Sequence, residues 1–188
     1  FQYAALRGIA ANRGFDWGIP PKGTSGVDEY GCENNYCMFE TFKMTNATKE
    51  HQHISENSQW AIWKEFHFNE ELFNKCPDNV NLDGYFQTEK YFKNIDKEIR
   101  EDFKFQDEIY IPCKDMIDSL GDGRKIFLHI RRGDPKLPWA YVNLESAHPV
   151  CTWDYYEKAL RHFPADIPVV VFSDVIDWCK EQQSYLDY

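Results

Sequence analysis

Apolar positions recur at helical spacing in the first part of the chain. The spacing predicts helices over residues 2–13, 95–105 and 113–120. In the first of these helices the apolar residues fall on one face, and Gly14 follows as a left-handed cap. An amphipathic helix buries its apolar face against other elements, so this part of the chain is expected to have a packed core.

Shorter apolar stretches lie between these helices. Residues 37–44 and 81–87 predict short strands, and residues 60–68 fit either a strand or an aromatic-lined segment. Glycine, proline and polar residues separate the stretches, which is typical of loops. We therefore expect an irregular α/β lobe over residues 1–121.

The pattern changes after residue 121, where strands and helices alternate. Residues 126–130 and 168–173 are apolar enough to predict strands buried on both faces. Helices are predicted to follow each strand, one beginning after Thr152 and the other over residues 175–183. This order implies a parallel sheet with right-handed crossovers, so residues 122–188 are expected to form a Rossmann-type lobe.

Composition and charge exclude several classes of protein. Hydrophobic residues make up 43% of the 188 positions, enough for a real core. The formal net charge of −10 argues against a nucleic-acid partner, and no apolar run approaches the roughly 18 residues of a membrane span. The six cysteines are scattered, which is typical of reduced thiols in a cytoplasmic protein. Neither end carries a helix start or stop signal, so we expect part of a longer protein, and membrane association through its other segments stays open.

Polar side chains stand at the ends of both predicted strands of the second lobe. The first strand runs into HIRRGD, residues 129–134, and the second ends at Ser173 and Asp174. The carboxyl ends of parallel strands meet at one edge of a sheet, where ligands commonly bind. Arginine pairs can grip phosphate oxygens in bidentate fashion, and the start of the helix after Asp174 favours an anion. The sequence therefore predicts a diphosphate site.

Two other interpretations of the same residues remain open. Arg131 and Arg132 are alternatively surface residues, with Asp134 as their ion-pair partner. The tripeptide Arg132-Gly133-Asp134 also matches an adhesion motif, which functions only if it projects at a loop tip.

Several segments resemble one enzyme family. HIRRGD resembles the H-x-R-R-x-D signature of α1,2-, α1,6- and protein-O-fucosyltransferases. Four further segments resemble the α1,2-fucosyltransferases (glycosyltransferase family eleven) and occur in the family's order: FQYAALRGIAANRG, LDGYFQTEKYF, HPVCTWDYYEKAL and VVVFSDVIDWCKE. The chain departs from the family in four places. It lacks the Gly-Asn-Gln segment that usually precedes the first helix, and it has an insertion at residues 135–140. Val175 stands where the family often has a second acidic residue, and the family's C-terminal segment is not present.

The resemblance implies a GT-B-like fold and inverting transfer of fucose from GDP-fucose to the 2-hydroxyl of a galactose-terminated glycan, with no metal and no cofactor. It implies that Arg131 is the catalytic residue and binds the diphosphate. It also implies a set of donor-binding residues: His129 and Arg132 at the diphosphate, Asp134 orienting the arginines, and Ser173 and Asp174 lining the nucleotide site. On this interpretation the chain alone is inactive, and a catalytically inactive module that binds a sugar nucleotide or glycan is the alternative function.

The acceptor side is less defined. Tyr85, Gln87 and Glu89 are candidate acceptor-side residues, and the general base stays open among Asp83, Glu89, Glu145 and His148.

Two further groups of residues suggest other chemistry. Cys32, Cys37, His51 and His53 invite a zinc site, but their spacing is irregular. The aromatic residues of segment 60–68 suggest sugar stacking, although a packed aromatic cluster is the simpler expectation.

Overall fold

The computed structural model describes residues 1–27, 33–35, 38–53, 59–133 and 149–182. It is a mixed α/β structure that divides into two compact units, Phe1–Cys113 and Lys114–Tyr188. None of the helices in the described ranges is long and apolar enough to cross a membrane.

The first unit combines short helices with two pairs of strands. Among its described residues, the elements in chain order are α1 (Gln2–Arg13), β1 (Ser25–Val27), β2 (Glu33–Asn35), α2 (Met38–Thr41), β3 (Trp60–Trp63), α3 (Glu70–Lys75), β4 (Asn81–Gly84) and α4 (Asp96–Asp102), with short 3-10 turns at Lys49–His51, Glu89–Tyr91 and Lys93–Ile95. Strands β1 and β2 pair antiparallel, and strands β3 and β4 pair parallel. A further helix, α5 (Asp107–Ser119), contains the division between the units.

Helix α1 is the centre of the first unit. Its bounds and its left-handed cap at Gly14 confirm the sequence prediction, but the prediction of a single buried face is wrong. Tyr3 and Ala4 contact one apolar cluster, and Ala5 and Ile9 contact a second one on the other side. Small residues permit this burial, because the helix lies against the neighbouring backbone with no room for larger side chains.

Gly8 shows how close that approach is. A Cβ atom at this position would lie 1.9 Å from the carbonyl oxygen of Tyr91. The carbonyl of Gly8 in turn accepts a hydrogen bond from Nδ2 of Asn94, at 3.1 Å. The absence of a side chain at Gly8 therefore allows the segment at 91–94 to dock on the helix.

A buried ion pair links α1 to α4. Nη1 of Arg7 donates to Oδ2 of Asp102 at 2.7 Å, and the hydroxyl of Tyr3 donates to the same oxygen at 2.6 Å. The other carboxylate oxygen accepts from the backbone N–H of Asn46 at 2.7 Å and from its Nδ2 at 2.8 Å. The side chain of Asp102 is 0% exposed and that of Arg7 is 8% exposed. Such a pair is tolerated inside a protein because nearly every donor and acceptor is satisfied.

Strands β3 and β4 cover part of the second cluster. They pair in register, with Trp60 beside Asn81 and Trp63 beside Gly84. Trp63 packs against the cluster around Phe86 and Tyr91. At Gly84, a Cβ atom would lie 1.9 Å from the carbonyl oxygen of Trp63, so this strand position has no room for a side chain.

Two details of the first unit differ from the sequence prediction. The apolar stretch at 37–44 does not form the predicted strand in its described part, since Met38–Thr41 is a short helix whose apolar side chains pack on the first cluster. The helix predicted over 113–120 begins at Asp107 and includes Pro112. None of the described residues of α5 is buried.

The second unit contains a parallel strand pair covered on one side by helices. Its further described elements are β5 (Ile126–Ile130), α6 (Trp153–Leu160), β6 (Val169–Ser173) and α7 (Ile176–Glu181). Strands β5 and β6 pair parallel, which confirms that part of the prediction. The side chain of Thr152 caps α6 by accepting from the N–H of Tyr155.

The prediction that these strands are buried on both faces is wrong for the described residues. Leu128 and Ile130 pack against residues of α6 and α7. Phe127 and Phe172, which alternate with them and form a ring contact, are 59% and 45% exposed. Apolarity alone could not show that only one face of the pair is covered.

Candidate active site

The two polar strand ends lie side by side at one edge of the parallel pair. Ile130, the last residue of β5, pairs with Ser173, the last residue of β6. The chain therefore leaves β5 through Arg131 at the same edge at which it leaves β6 through Asp174. The structure thus brings together the two segments that the sequence analysis assigned to one site.

The segment Arg131–Gly133, here called the arginine loop, is tied to the end of β6 by a single carboxylate. Oδ1 of Asp174 accepts a hydrogen bond from the backbone N–H of Arg132 at 3.0 Å, and Oδ2 accepts one from the N–H of Gly133 at 2.8 Å. Both oxygens of the carboxylate are thus engaged by consecutive amides of the loop. This arrangement fixes the backbone on which both arginine side chains stand.

The electrostatics of this carboxylate follow from the same contacts. Burial acts to raise the pKa of Asp174, but the N–H donors of Arg132 and Gly133, together with the charge of Arg131, hold that pKa below its ordinary value. Asp174 is therefore an ionised hydrogen-bond acceptor at neutral pH.

The two arginines have different surroundings. The guanidinium carbon of Arg132 lies 4.0 Å from the ring centroid of Trp178 on α7, within the range of a cation–π contact. Trp178 itself packs against the apolar cluster of the second unit. Arg131 is exposed. The half-buried Arg132 is held by the protein, whereas Arg131 is accessible to a ligand.

His129 lies on the open face of the strand pair. It is exposed and pairs in register with Phe172, while its neighbours Leu128 and Ile130 point to the covered face. The imidazole and Arg131 are thus separated by one buried residue of β5. The role of His129 at the diphosphate stays a prediction.

The hydroxyl of Ser173 stabilises the turn that follows β6. Its Oγ accepts a hydrogen bond from the N–H of Val175 at 3.0 Å. The following helix α7 has only six residues, and Asp177 places a negative charge in its first turn. The helix start therefore gives no support to the anion site that the sequence predicted there, and the local positive charge comes from the arginine loop instead.

Some predicted residues lie outside the described part of the chain. These are Asp134, the insertion at 135–140, and the candidate bases Glu145 and His148. The adhesion motif is described only at Arg132 and Gly133. Because the Arg132 side chain packs on Trp178 and the Gly133 amide is bound by Asp174, these two residues do not project as a loop tip.

The candidate acceptor-side residues lie in the first unit, directly after β4. Tyr85, Gln87 and Glu89 are exposed. The ring of Tyr85 stacks on Phe66, with centroids 5.0 Å apart and an interplanar angle of 16°. Between Tyr85 and Gln87, the buried Phe86 has a φ angle of 49°, a left-handed conformation that is costly for a bulky residue. Strained backbone of this kind occurs preferentially at functional sites.

The expectation of a fully packed aromatic cluster in segment 60–68 is only partly right. Trp63 and Phe68 pack against the core. Trp60 and Phe66 are 59% and 63% exposed. Of the described candidate bases, Asp83 forms an ion pair with Lys64 at 3.4 Å.

No metal centre is formed by the residues that the structure describes. They contain no group of three or more His, Cys, Asp or Glu side chains able to hold an ion. His51, one of the candidate zinc ligands, stacks on Trp17 instead, at a centroid distance of 4.0 Å. Cys32 and Cys37 lie outside the described ranges. The described cysteines, Cys76, Cys113, Cys151 and Cys179, are free thiols.

Sequence reasoning missed the contact of Trp178 with Arg132, and for Phe66 it preferred a packed cluster to sugar stacking. Trp178 stands in a segment used only for the family resemblance, and its contact with Arg132 joins residues far apart in the chain. A tryptophan one helical turn after a polar strand end was the available signal. Phe66 was assigned to the core because an exposed aromatic residue cannot be told from a buried one by its type.

Comparison with known proteins identifies the family of the chain. The model of Glycosyl transferase family 11 matches residues 36–185, which include both polar strand ends. The chain is also 32% identical over 112 residues to an alpha-1,2-colitosyltransferase of Escherichia coli. That match covers 56% of this chain but only 36% of the relative, so the chain spans about a third of that enzyme's length. No solved structure matches at a significant level. The extent of the family match, over most of the chain, shows that this protein belongs to glycosyltransferase family 11.

Proposed function

We propose that the protein transfers fucose from GDP-fucose to the 2-hydroxyl of a galactose-terminated glycan, with inversion at the sugar carbon and without a metal ion. The observation that supports this most is the accessible Arg131 at the end of β5, beside the Ser173–Asp174 turn. A GT-B-like arrangement of two Rossmann-type lobes is part of the proposal. The parallel pair in each unit is compatible with it.

The chemistry needs a cation where negative charge develops. As the acceptor hydroxyl oxygen attacks the anomeric carbon and gives its proton to a general base, the bond between that carbon and the phosphate oxygen breaks. The electron pair of that bond passes to the β-phosphate of GDP. A fixed guanidinium stabilises this charge more in the transition state than in the ground state, which is the requirement for catalysis. Arg131 would play this part, with His129 at the edge of the same site.

The acceptor is proposed to bind in the first unit near Tyr85. Exposed aromatic faces suit the apolar faces of sugar rings, and Tyr85 with Phe66 presents such a surface. Gln87 and Glu89 follow in exposed positions and offer hydrogen-bonding groups for hydroxyls.

A colitosyl donor is the second candidate, because the Escherichia coli relative carries that activity in its name. Colitose is fucose without the 3-hydroxyl, so the two donors differ by one hydrogen-bonding group. A site built to bind that hydroxyl discriminates strongly against the deoxy sugar, since its own polar groups would be left unpaired.

The test is a transfer assay with the whole protein, run in parallel with GDP-fucose and GDP-colitose. We expect Arg131→Ala to lower kcat at least about 100-fold, corresponding to about 3 kcal/mol for the loss of one oxyanion donor. Arg124→Ala is the matched control, because Arg124 lies before the opposite end of the same strand. Equal activity of the two variants would refute the role of Arg131, and an absence of transfer from either donor by the unaltered protein would refute the proposed function. GDP binding without transfer by the unaltered protein would support the inactive sugar-nucleotide-binding module instead.

A further inference from the structure

Two contacts of the arginine loop come from the turn and helix after β6. Asp174 binds two consecutive amides of the loop, at 3.0 and 2.8 Å. Trp178, one helical turn later, takes the side chain of Arg132 against its ring at 4.0 Å. Neither contact was expected from the family resemblance, which assigned Asp174 to the nucleotide site.

A direct role of Asp174 at the diphosphate is unfavourable. An ionised carboxylate has no hydrogen to donate to a phosphate oxygen, and two like charges at short range repel each other. Both carboxylate oxygens already accept hydrogen bonds from the loop. The chemistry of the group therefore suits it to hold the loop and not to hold the ligand.

The Arg132 side chain is engaged in a similar way. A planar guanidinium stacked on an indole loses much of its freedom to turn towards solvent. The indole is itself fixed, since Trp178 packs with Leu128, Ile130 and Tyr156. Arg132 is thereby attached to the core of the unit, while the neighbouring Arg131 is exposed at the strand end.

We propose that Asp174 and Trp178 are positioning residues that fix the arginine loop, so that Arg131 meets the leaving diphosphate while Arg132 serves as an anchor. This inference rests on the proposed function. A transition-state contact is effective only when its donor is already in place, and a misplacement of about 1 Å can cost about 100-fold in rate. A loop held at its backbone and at one side chain satisfies that requirement.

The first test separates positioning from direct contact by a double-mutant cycle on GDP affinity in the whole protein. The variants are Arg131→Ala, Asp174→Asn and the double variant, with binding measured by titration calorimetry. Asparagine keeps the size of the side chain, but it removes the charge and turns an N–H donor towards one of the loop amides. If Asp174 acts through the loop, Asp174→Asn weakens GDP binding clearly in the unaltered protein and little in the Arg131→Ala background.

The second test measures the separation of kcat from KM. We expect Asp174→Asn to lower kcat about 10- to 100-fold with a smaller change in the KM for the acceptor. Trp178→Phe keeps a weaker ring face for Arg132 and Trp178→Leu keeps none, so kcat is expected to fall further in the leucine variant. Asp177→Asn is the matched control, because Asp177 lies on the same helix with a side chain 90% exposed, and its ion pair with Lys180 is on the surface.

The outcomes distinguish this inference from the proposed function. If the unaltered protein transfers neither sugar, the proposed function fails, and if Arg131→Ala leaves GDP affinity and transfer unchanged, Arg131 does not act on the diphosphate and the inference falls with it. If Arg131→Ala abolishes transfer but Asp174→Asn behaves like Asp177→Asn, the function stands and the positioning role is wrong. Equal effects of Asp174→Asn in both backgrounds would show that Asp174 contacts the nucleotide itself. If Asp174→Asn lowers the melting temperature more than Asp177→Asn does, the comparison of Trp178→Phe with Trp178→Leu tests the positioning role instead. Equal kcat values for these two variants would overturn the inference.

Discussion

Replacing Asp102 with alanine removes the acceptor at the centre of the buried network in the first unit. The change leaves the guanidinium of Arg7, the hydroxyl of Tyr3 and the amide of Asn46 without their carboxylate partner. Glu98, whose side chain is 54% exposed, stays as a carboxylate partner of Arg7. Breaking a buried pair from one side leaves an uncompensated charge, which costs about 3–5 kcal/mol.

Glu98→Ala provides the control for this prediction. It also removes a partner of Arg7, at 3.2 Å, but the pair reaches solvent, so the expected loss is about 1 kcal/mol or less. The two single variants therefore remove carboxylates from the same arginine and differ in burial. A third variant, Arg7→Met with Asp102→Leu, removes both charges and is expected to recover part of the stability that Asp102→Ala loses.

The assay is urea unfolding of the whole protein, followed by a probe in the first unit such as the fluorescence of Trp17. That indole lies under the guanidinium of Arg7, at 4.6 Å, and so reports on the network. We expect the transition of Asp102→Ala at a clearly lower urea concentration than that of Glu98→Ala, with similar slopes. Equal midpoints for the two variants would refute the reasoning, because they would show that burial does not determine how much an ion pair of Arg7 stabilises the protein.

Three other predictions concern packing, pH and the acceptor. Gly8→Ala is expected to cost about 3 kcal/mol of unfolding free energy, since a Cβ would lie 1.9 Å from the Tyr91 carbonyl oxygen; melting temperatures test it. Because the pKa of Asp174 is lowered, its stabilising contribution is complete above the unfolded pKa of about 3.9 and is lost as the pH falls further. The melting-temperature difference between the unaltered protein and Asp174→Asn should therefore shrink below that pH. Phe66→Ala and Tyr85→Ala should each raise the KM for the acceptor about fivefold, for about 1 kcal/mol of ring contact, and leave the donor KM unchanged in initial-rate assays.

Each of these has its own control. Gly14→Ala strains a left-handed position where a Cβ would meet no atom within 4 Å, so a loss as large as that of Gly8→Ala would contradict the packing argument. If the melting-temperature difference between the unaltered protein and Asp174→Asn does not change with pH, the charge of Asp174 does not contribute to stability. Trp60→Ala removes another exposed ring from β3, and the same rise in acceptor KM there would argue against a specific surface.

The sequence carried strong local signals for some elements of the fold. Helix α1 follows from its apolar spacing and from Gly14, and the bounds of β5 follow from an apolar run that ends in charged residues. The prediction of a strand at 37–44 failed because a short apolar run fits one turn of helix as well as a strand, and tertiary packing decides between them. The prediction that β5 and β6 are buried on both faces failed for a related reason, since residue type does not show which elements pack against a strand.

The candidate site was predictable to a similar degree. Charge at two neighbouring strand ends located it, because parallel pairing makes their meeting a general expectation. The difference between the surroundings of Arg131 and Arg132 was not predictable from two identical side chains in succession. It depends on where the Trp178 ring lies and on backbone amides that nearly every residue type shares.

The central place of α1 has a consequence for the way the chain is made. This helix leaves the ribosome before many of the residues that surround it, from Cys76 to Asp102, have been synthesised. Until they emerge, the second apolar cluster of the helix stays uncovered and Arg7 lacks its carboxylate partners, and a short isolated helix is marginal in water. Folding of the first unit must therefore wait for the closure of long loops, which slows it and prolongs the interval in which the nascent chain needs protection from aggregation.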